Sequence, residues 1–244
     1  ISVGRGNPQA LVPHIRRFAR SAAALDMLAP DEDAWADAVH AVAAAIDPVD
    51  EAYVKTVMTR GVEGDGRPTG WAYAAPAADF TDARRNGIRV ITLDRGFRHD
   101  VAATSPWLLA GSKTLSYAVN RAVVREAGRR DADDVVFISS DGYLLEGSTS
   151  NLLLRFGDTV VTPGTNLGIL PGTTQGDLFA FAESRGLSTE YALLEADQLM
   201  KADGAWLVSS VRHAAPIRAV DGTPRAVDSE FTAAVNSYLL GRTA

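Results

Sequence analysis

Apolar and polar positions along the chain alternate between two periods, one of a helix and one of a strand. Over residues 11–28 apolar side chains recur at Leu11, Ile15, Phe18, Ala22 and Leu25, and Pro13 suits a first helical turn. A second helix is predicted over 33–46, with Trp35, Ala38, Val39, Val42 and Ala43 inward and Asp31 or Asp33 as its cap. Residues 53–60 alternate as a strand, 61–70 form a Gly-rich polar loop, and 70–75 and 88–93 read as further strands. Residues 111–127 then set Leu115, Ala118, Val119, Ala122, Val123 and Ala127 on one predicted helical face and Asn120, Arg121 and Arg125 on the other.

The second half is read in the same way. Strands are predicted at 135–140 and 143–146 about an Asp141-Gly142 turn, and a hairpin at 151–156 and 159–162 about Gly157-Asp158. A helix over 173–185 is stopped by Gly186, strands follow at 189–193, 205–209 and 216–220, and helices lie near 195–201 and 227–240. The order predicts a small N-terminal α+β domain over 1–103, a connection at 104–112, and a larger mixed, barrel-like α/β domain over 113–244.

Composition narrows the function classes. The 244 residues contain no run of about eighteen apolar positions, and the start has no signal-peptide pattern, so no membrane span is expected. With no cysteine, disulfides and thiolate metal sites are excluded and a reducing cytoplasm is the default expectation. A net charge of −6, from 24 basic and 30 acidic residues mixed along the chain, argues against a nucleic-acid footprint. His14, His40, His99 and His213 are scattered without a two-histidine helical motif, so no metal site is expected.

One lysine stands out. Lys113 follows the small and apolar run Trp107-Leu108-Leu109-Ala110-Gly111-Ser112. An ammonium that loses water there moves toward its neutral, nucleophilic form, as Schiff-base chemistry requires. A lysine at a helix start is ordinarily a solvated surface group, and a glutamate at a strand end, such as Glu146 after Tyr143-Leu144-Leu145, ordinarily is too. Gly172-Thr173-Thr174 opens a helix whose free N–H groups favour an anion, although a plain cap would look alike. The arginine-bearing helix at 11–28 is likewise amphipathic by composition alone.

Taken together, Lys113, the Gly142 to Asn151 run Gly-Tyr-Leu-Leu-Glu-Gly-Ser-Thr-Ser-Asn and Ile169-Leu170-Pro171-Gly172-Thr173-Thr174-Gln175 resemble the class IV, fold type IV pyridoxal-phosphate enzymes. That family includes branched-chain aminotransferase, D-amino-acid aminotransferase and 4-amino-4-deoxychorismate lyase. The resemblance implies pyridoxal 5′-phosphate as cofactor at a domain interface, Lys113 as its Schiff-base lysine, and Glu146 beside its ring nitrogen. It also implies Arg17, from His14-Ile15-Arg16-Arg17, with Thr173, Thr174 and Ser210 on its phosphate. Guanidinium and hydroxyl donors suit a phosphate. Class IV chains usually carry a strand pair well ahead of the His-x-x-Arg helix; only a short stretch precedes His14, so those strands are expected to be missing.

The resemblance further implies a small-molecule amino substrate and a homodimer. Residues 104–117 and 209–212 look most like aminodeoxychorismate lyases, which release pyruvate and the 4-aminobenzoate of folate synthesis; an aminotransferase acting on branched-chain or D-amino acids with 2-oxoglutarate is the alternative, and a non-catalytic domain of the same fold a third. Arg60, Arg95, Arg98, Val211 and Arg212 are the substrate candidates, and Arg98-His99 lacks the intervening residue of the D-amino-acid enzymes' Arg-x-His trap.

Overall fold

The computed structural model describes residues 1–242, which form two compact units, residues 1–79 with 240–242 and residues 80–239. The last two residues of the domain expected over 113–244 lie outside the described residues. The division falls between Asp79 and Phe80, ahead of the connection expected at 104–112. Its physical reason is the strand at 88–94, which pairs with later strands and not with the N-terminal ones.

In the first unit, β1 (Ser2–Gly4), β2 (Asn7–Pro8), β3 (Glu51–Thr59) and β4 (Thr69–Pro76) form an antiparallel sheet in the order β2-β1-β3-β4. The short β1 and β2 were not anticipated from the sequence. Helix α1 (Leu11–Ala24) buries Leu11, His14, Ile15, Arg17, Ser21 and Ala22, while Arg16 and Arg20 point to solvent. Helix α2 (Glu32–Ala44) starts where Asp31 Oδ1 accepts the Ala34 N–H at 3.0 Å, and it buries Val39 and Ala43. Leu11, Ile15, Val39 and Ala43 pack with Val3, Ala52 and Val54 of the sheet.

The second unit is a nine-stranded mixed sheet. Its strands are β5 (Ile88–Asp94), β6 (Asp134–Ile138), β7 (Leu144–Gly147), β8 (Asn151–Phe156), β9 (Thr159–Pro163), β10 (Ser188–Ala192), β11 (Gly204–Ser209), β12 (His213–Val220) and β13 (Thr223–Pro224). They run in the order β10-β9-β8-β11-β12-β5-β6-β7, with β13 beside β12. Strand β5 is parallel to both its neighbours, β12 and β6. The sheet curls until β7 touches β8 and β9, giving a half-barrel.

Helices α3 (Thr81–Asn86), α4 (Val101–Thr104), α5 (Ala118–Arg129), α6 (Thr173–Ser184), α7 (Gln198–Lys201) and α8 (Ser229–Leu240) complete the chain, α3 packing on β12, α5 on β6, and α6 on β10 and β11. Continuous apolar runs explain the interior: Val135, Val136, Leu144, Leu152, Leu153, Leu154 and Leu207 have no exposed surface. Among the described residues no helix is long and apolar enough to cross a membrane.

One predicted face is corrected. Helix α5 begins only at Ala118 and buries Ala127 with Val123 half-buried, whereas Leu115 and Val119 are 56% and 47% exposed. The reason is geometric: only the C-terminal half of α5 crosses β6, so apolar spacing upstream of it has nothing to pack against.

Candidate active site

A cavity of about 400 Å³ opens in the second unit between the segment 108–120, the strand end 145–151 and residues 168–170. Lys113, Glu146 and Arg95 all line it. The structure thus brings together three sequence candidates that lie on separate elements.

Lys113 sits on irregular backbone between a short 3-10 turn, Pro106–Leu108, and α5. Gly111, at φ 86°, lets this segment fold against the 168–170 stretch, since a Cβ there would stand 3.1 Å from the Ile169 carbonyl oxygen. Lys113 Nζ donates to the Tyr117 hydroxyl at 3.0 Å and lies 5.7 Å from the centre of that ring. The next turn of the helix puts Asn120 into the cavity wall, its amide bonded to the Ser148 carbonyl.

Glu146 is the third residue of β7, behind Leu144 and Leu145, which are 0% and 2% exposed, so the strand is anchored by its core side chains. Its Oε2 accepts the Leu170 N–H at 3.3 Å. Arg95 follows β5, its guanidinium stacked 5.3 Å from the Phe97 ring and 4.8 Å from the Phe137 ring. Burial lowers the basicity of this guanidinium, and the Glu146 charge opposes that shift. It forms no hydrogen bond among the described residues.

Of the phosphate candidates of this unit, Thr173 and Thr174 open α6 and Ser210 lies on another turn, and none of the three is among the residues that line the cavity. Helix α6 starts at Thr173 without a side-chain cap, and Thr174 is 2% exposed with an Oγ1 that has no partner among the described residues. A buried hydroxyl at a helix start with its cap position open suits an anion receptor. Gly172 admits Asn151 against the helix entry, where a Cβ would collide with Asn151 Oδ1 at 1.9 Å, and Asn151 Nδ2 donates to the Leu170 carbonyl at 2.8 Å. Ser210, half-buried, lies in the turn between β11 and β12.

The remaining arginines are engaged elsewhere. Arg17, in the first unit, is 8% exposed with Nη2 3.2 Å from His14 Nδ1, so the His-x-x-Arg pair meets across one helical turn. Arg60, also in the first unit, donates to the Asp26 carbonyl at 3.3 Å and to the Leu25 carbonyl. Arg98 pairs with Asp100 and Asp141, each at 3.4 Å, outside the residues that line the cavity. Arg212 is tied to Asp134 at 2.8 Å and to Ser150 Oγ at 2.8 Å, and Val211 gives its carbonyl to Arg84 at 3.0 Å. Sequence reasoning overlooked Tyr117, Asn120, Asn151 and Arg84; Tyr117 could have been found from its i+4 spacing to Lys113.

Comparison with known proteins identifies the family. Residues 1–220 match the amino-transferase class IV family pattern. A curated relative, the bifunctional aminodeoxychorismate lyase / D-amino acid transaminase of Mycobacterium tuberculosis, is 40% identical over 219 residues, 86% of this chain and 76% of its own. A solved fold IV transaminase, CpuTA1 from Curtobacterium pusillum, is 54% identical at a TM-score of 0.96, over all of this chain and 85% of its own. A structure described as a hypothetical aminotransferase from Mycobacterium tuberculosis in its PLP-bound form is 36% identical at a TM-score of 0.92, over 98% of this chain and 86% of its own.

Proposed function

The chain belongs to the class IV aminotransferases, which are pyridoxal-phosphate-dependent enzymes, and from that membership we propose that it is an amino-acid transaminase whose substrate carboxylate is received by Arg95. Amino transfer is the activity common to the family's description and to these relatives' names, and the observation that carries Arg95 is the state of the five substrate candidates. Arg60, Arg98 and Arg212 spend their guanidinium groups on protein acceptors and Val211 offers only backbone, while Arg95 stands in the cavity with Lys113 and Glu146, stacked on two rings with its donors unspent. A guanidinium fork suits a carboxylate.

When bound, pyridoxal phosphate supplies the electron sink that makes the substrate's Cα proton removable. Lys113 is the group proposed to hold the cofactor and to move that proton, with the Tyr117 hydroxyl as its hydrogen-bond partner. Glu146 is proposed to keep the ring nitrogen protonated, a role supported by its anchored strand and its acceptor bond from Leu170. Thr173, Thr174 and Ser210 are proposed for the phosphate, supported by the open cap of α6 and the unpartnered Thr174 hydroxyl. Arg17 is proposed for the same anion on its motif alone. A homodimer is proposed as well, since Trp107, Leu108, Leu115 and Val119 leave an apolar patch exposed around the Lys113 segment.

The second reading is aminodeoxychorismate lyase. It is supported by the look of residues 104–117 and 209–212 and by the two activities in the name of the 40%-identical relative. One pair of assays separates the readings: glutamate formed from 2-oxoglutarate with branched-chain or with D-amino acids as donors, and pyruvate with 4-aminobenzoate formed from aminodeoxychorismate. Amino transfer without 4-aminobenzoate is the expected result; 4-aminobenzoate without amino transfer overturns it. Arg95→Met should raise KM for the amino acid about 10–100-fold, the loss of a hydrogen bond to a charged group, and an unchanged KM removes Arg95 from the substrate.

A further inference from the structure

The ion pair of Arg212 and Asp134 lies behind the cavity wall, its side chains 13% and 4% exposed, with Nη1 2.8 Å from Oδ2. Asp134 Oδ1 accepts from the Ser148 hydroxyl at 2.7 Å and from the Val135 N–H at 2.8 Å. The Ser148 carbonyl in turn takes the Asn120 amide from α5. On the other side, Arg212 Nη2 donates to Ser150 Oγ at 2.8 Å, and Gly147 N donates to the Ser150 carbonyl at 2.7 Å. Arg84, 8% exposed on α3, donates Nε to the Arg212 carbonyl at 2.9 Å and Nη2 to the Val211 carbonyl at 3.0 Å.

One bonded chain therefore runs from α5, which follows Lys113, through the turn that follows Glu146, to the β11–β12 turn that bears Ser210. None of these three segments is continuous with another in sequence. Burying two charges is a poor route to stability, because desolvation cancels much of their attraction and apolar replacements are often as stable. In some proteins a buried pair of this kind serves instead to fix register.

We propose that Asp134 and Arg212 are positioning residues that hold the Lys113, Glu146 and Ser210 segments in mutual register, so that Arg212 acts through the protein and does not receive substrate. The proposal rests on the pyridoxal-phosphate reading given above. Neither Asp134 nor Arg212 lines the cavity, whereas Ser148 and Ser150, which they hold, do. A shift of the order of an ångström in one segment is enough to cost about a hundredfold in rate.

The test compares the purified wild-type protein with Asp134→Asn, Arg212→Met and the double variant. Each is titrated with pyridoxal phosphate and assayed for amino transfer. The expected result is a borohydride-dischargeable visible band in all four proteins, displaced in wavelength in the same direction in the three variants. The variants should lose about 10–100-fold in kcat with KM for the amino acid changed less than about threefold, and the double should be no slower than the slower single. Should Arg212→Met prove insoluble, the isosteric Asp134→Asn carries the same kcat and band criteria. A KM that rises more than about tenfold at unchanged kcat makes Arg212 a substrate contact and overturns the proposal, as do wild-type kinetics in the variants or multiplicative losses in the double. A wild-type protein that takes up no pyridoxal phosphate overturns the cofactor reading as well, whereas a loaded wild type with unaffected variants overturns the positioning role alone.

Discussion

The segment that carries Lys113 and the strand that carries Glu146 face the same cavity and are built in opposite ways. Between Pro106 and Tyr117 the backbone is a 3-10 turn followed by irregular chain, with Trp107 72% and Leu115 56% exposed. Between Leu144 and Gly147 the backbone is a strand, and Leu144, Leu145 and Gly147 are buried. A lysine that must release one partner and take another needs a long side chain on backbone with room around it. A carboxylate that must hold one proton in place needs the reverse. The difference teaches that what distinguishes the two positions is the packing beneath them.

Breaking the first side of the comparison should give the largest effect. Lys113→Ala should lose turnover by several orders of magnitude and lose borohydride-stable attachment of the cofactor, because water cannot replace a positioned amine. Retained turnover in single-turnover assays would end its assignment. Breaking the second side should be milder: Glu146→Gln should keep the cofactor bound and slow Cα-proton exchange by about 10²-fold or more, read by loss of deuterium from labelled substrate.

Stability sharpens the contrast. Leu144→Ala should cost about 2–5 kcal/mol in denaturant unfolding, as a fully buried leucine. Leu115→Ala should stay within about 0.5 kcal/mol as long as that face remains solvated. A large loss at Leu115 that depends on protein concentration would mean that a second copy covers it.

The smallest effect concerns the turn that leads into the Glu146 strand. Burial pushes the Asp141 carboxyl up, but bonds from Ser139 and His99, the latter at 2.6 Å, outweigh it and hold the carboxyl well below its usual range. A folded pKa below the unfolded one gives stability that is present above the ordinary carboxylate range and is lost as pH falls through the depressed value. His99→Ala should therefore lower stability across pH 6 to 8, where that contribution is fully present, with the difference from wild type closing as pH falls below the carboxylate range, as followed by circular dichroism.

Much of this fold was legible in the chain. Strand β8, Asn151–Phe156, falls where the apolar run and the Gly157-Asp158 turn put it, and α2 is capped by Asp31 as its spacing allowed. Lys113 and Glu146, each picked out by a local motif, line one cavity, whereas Thr174, picked out in the same way, is buried at the start of α6 and outside the residues that line it. The outward turn of Leu115 and Val119 was not legible, because helical spacing tells which residues share a face and not whether anything lies against it. Helix α3, whose sequence is Thr-Asp-Ala-Arg-Arg-Asn, has no apolar period to reveal it. The arginines were the least legible. Arg212 finds Asp134 and Arg84 finds Arg212 only after the sheet has formed, and nothing in either neighbourhood announces a partner more than seventy residues away.

The parallel seating of β5 between β12 and β6 carries a consequence for synthesis. Strand β6 leaves the ribosome soon after β5, yet Ile88 must wait for Ile217, about 130 residues later, before its other edge is covered. At about 5–20 residues per second that edge stays open for on the order of ten seconds, with the bare Val90 and Ile91 side chains beside it. A nascent chain in this state presents the kind of unpaired, apolar strand that invites aggregation or a chaperone's grip. Yield in a cell should therefore respond to how fast the last third of the message is translated, even when the finished protein is unchanged.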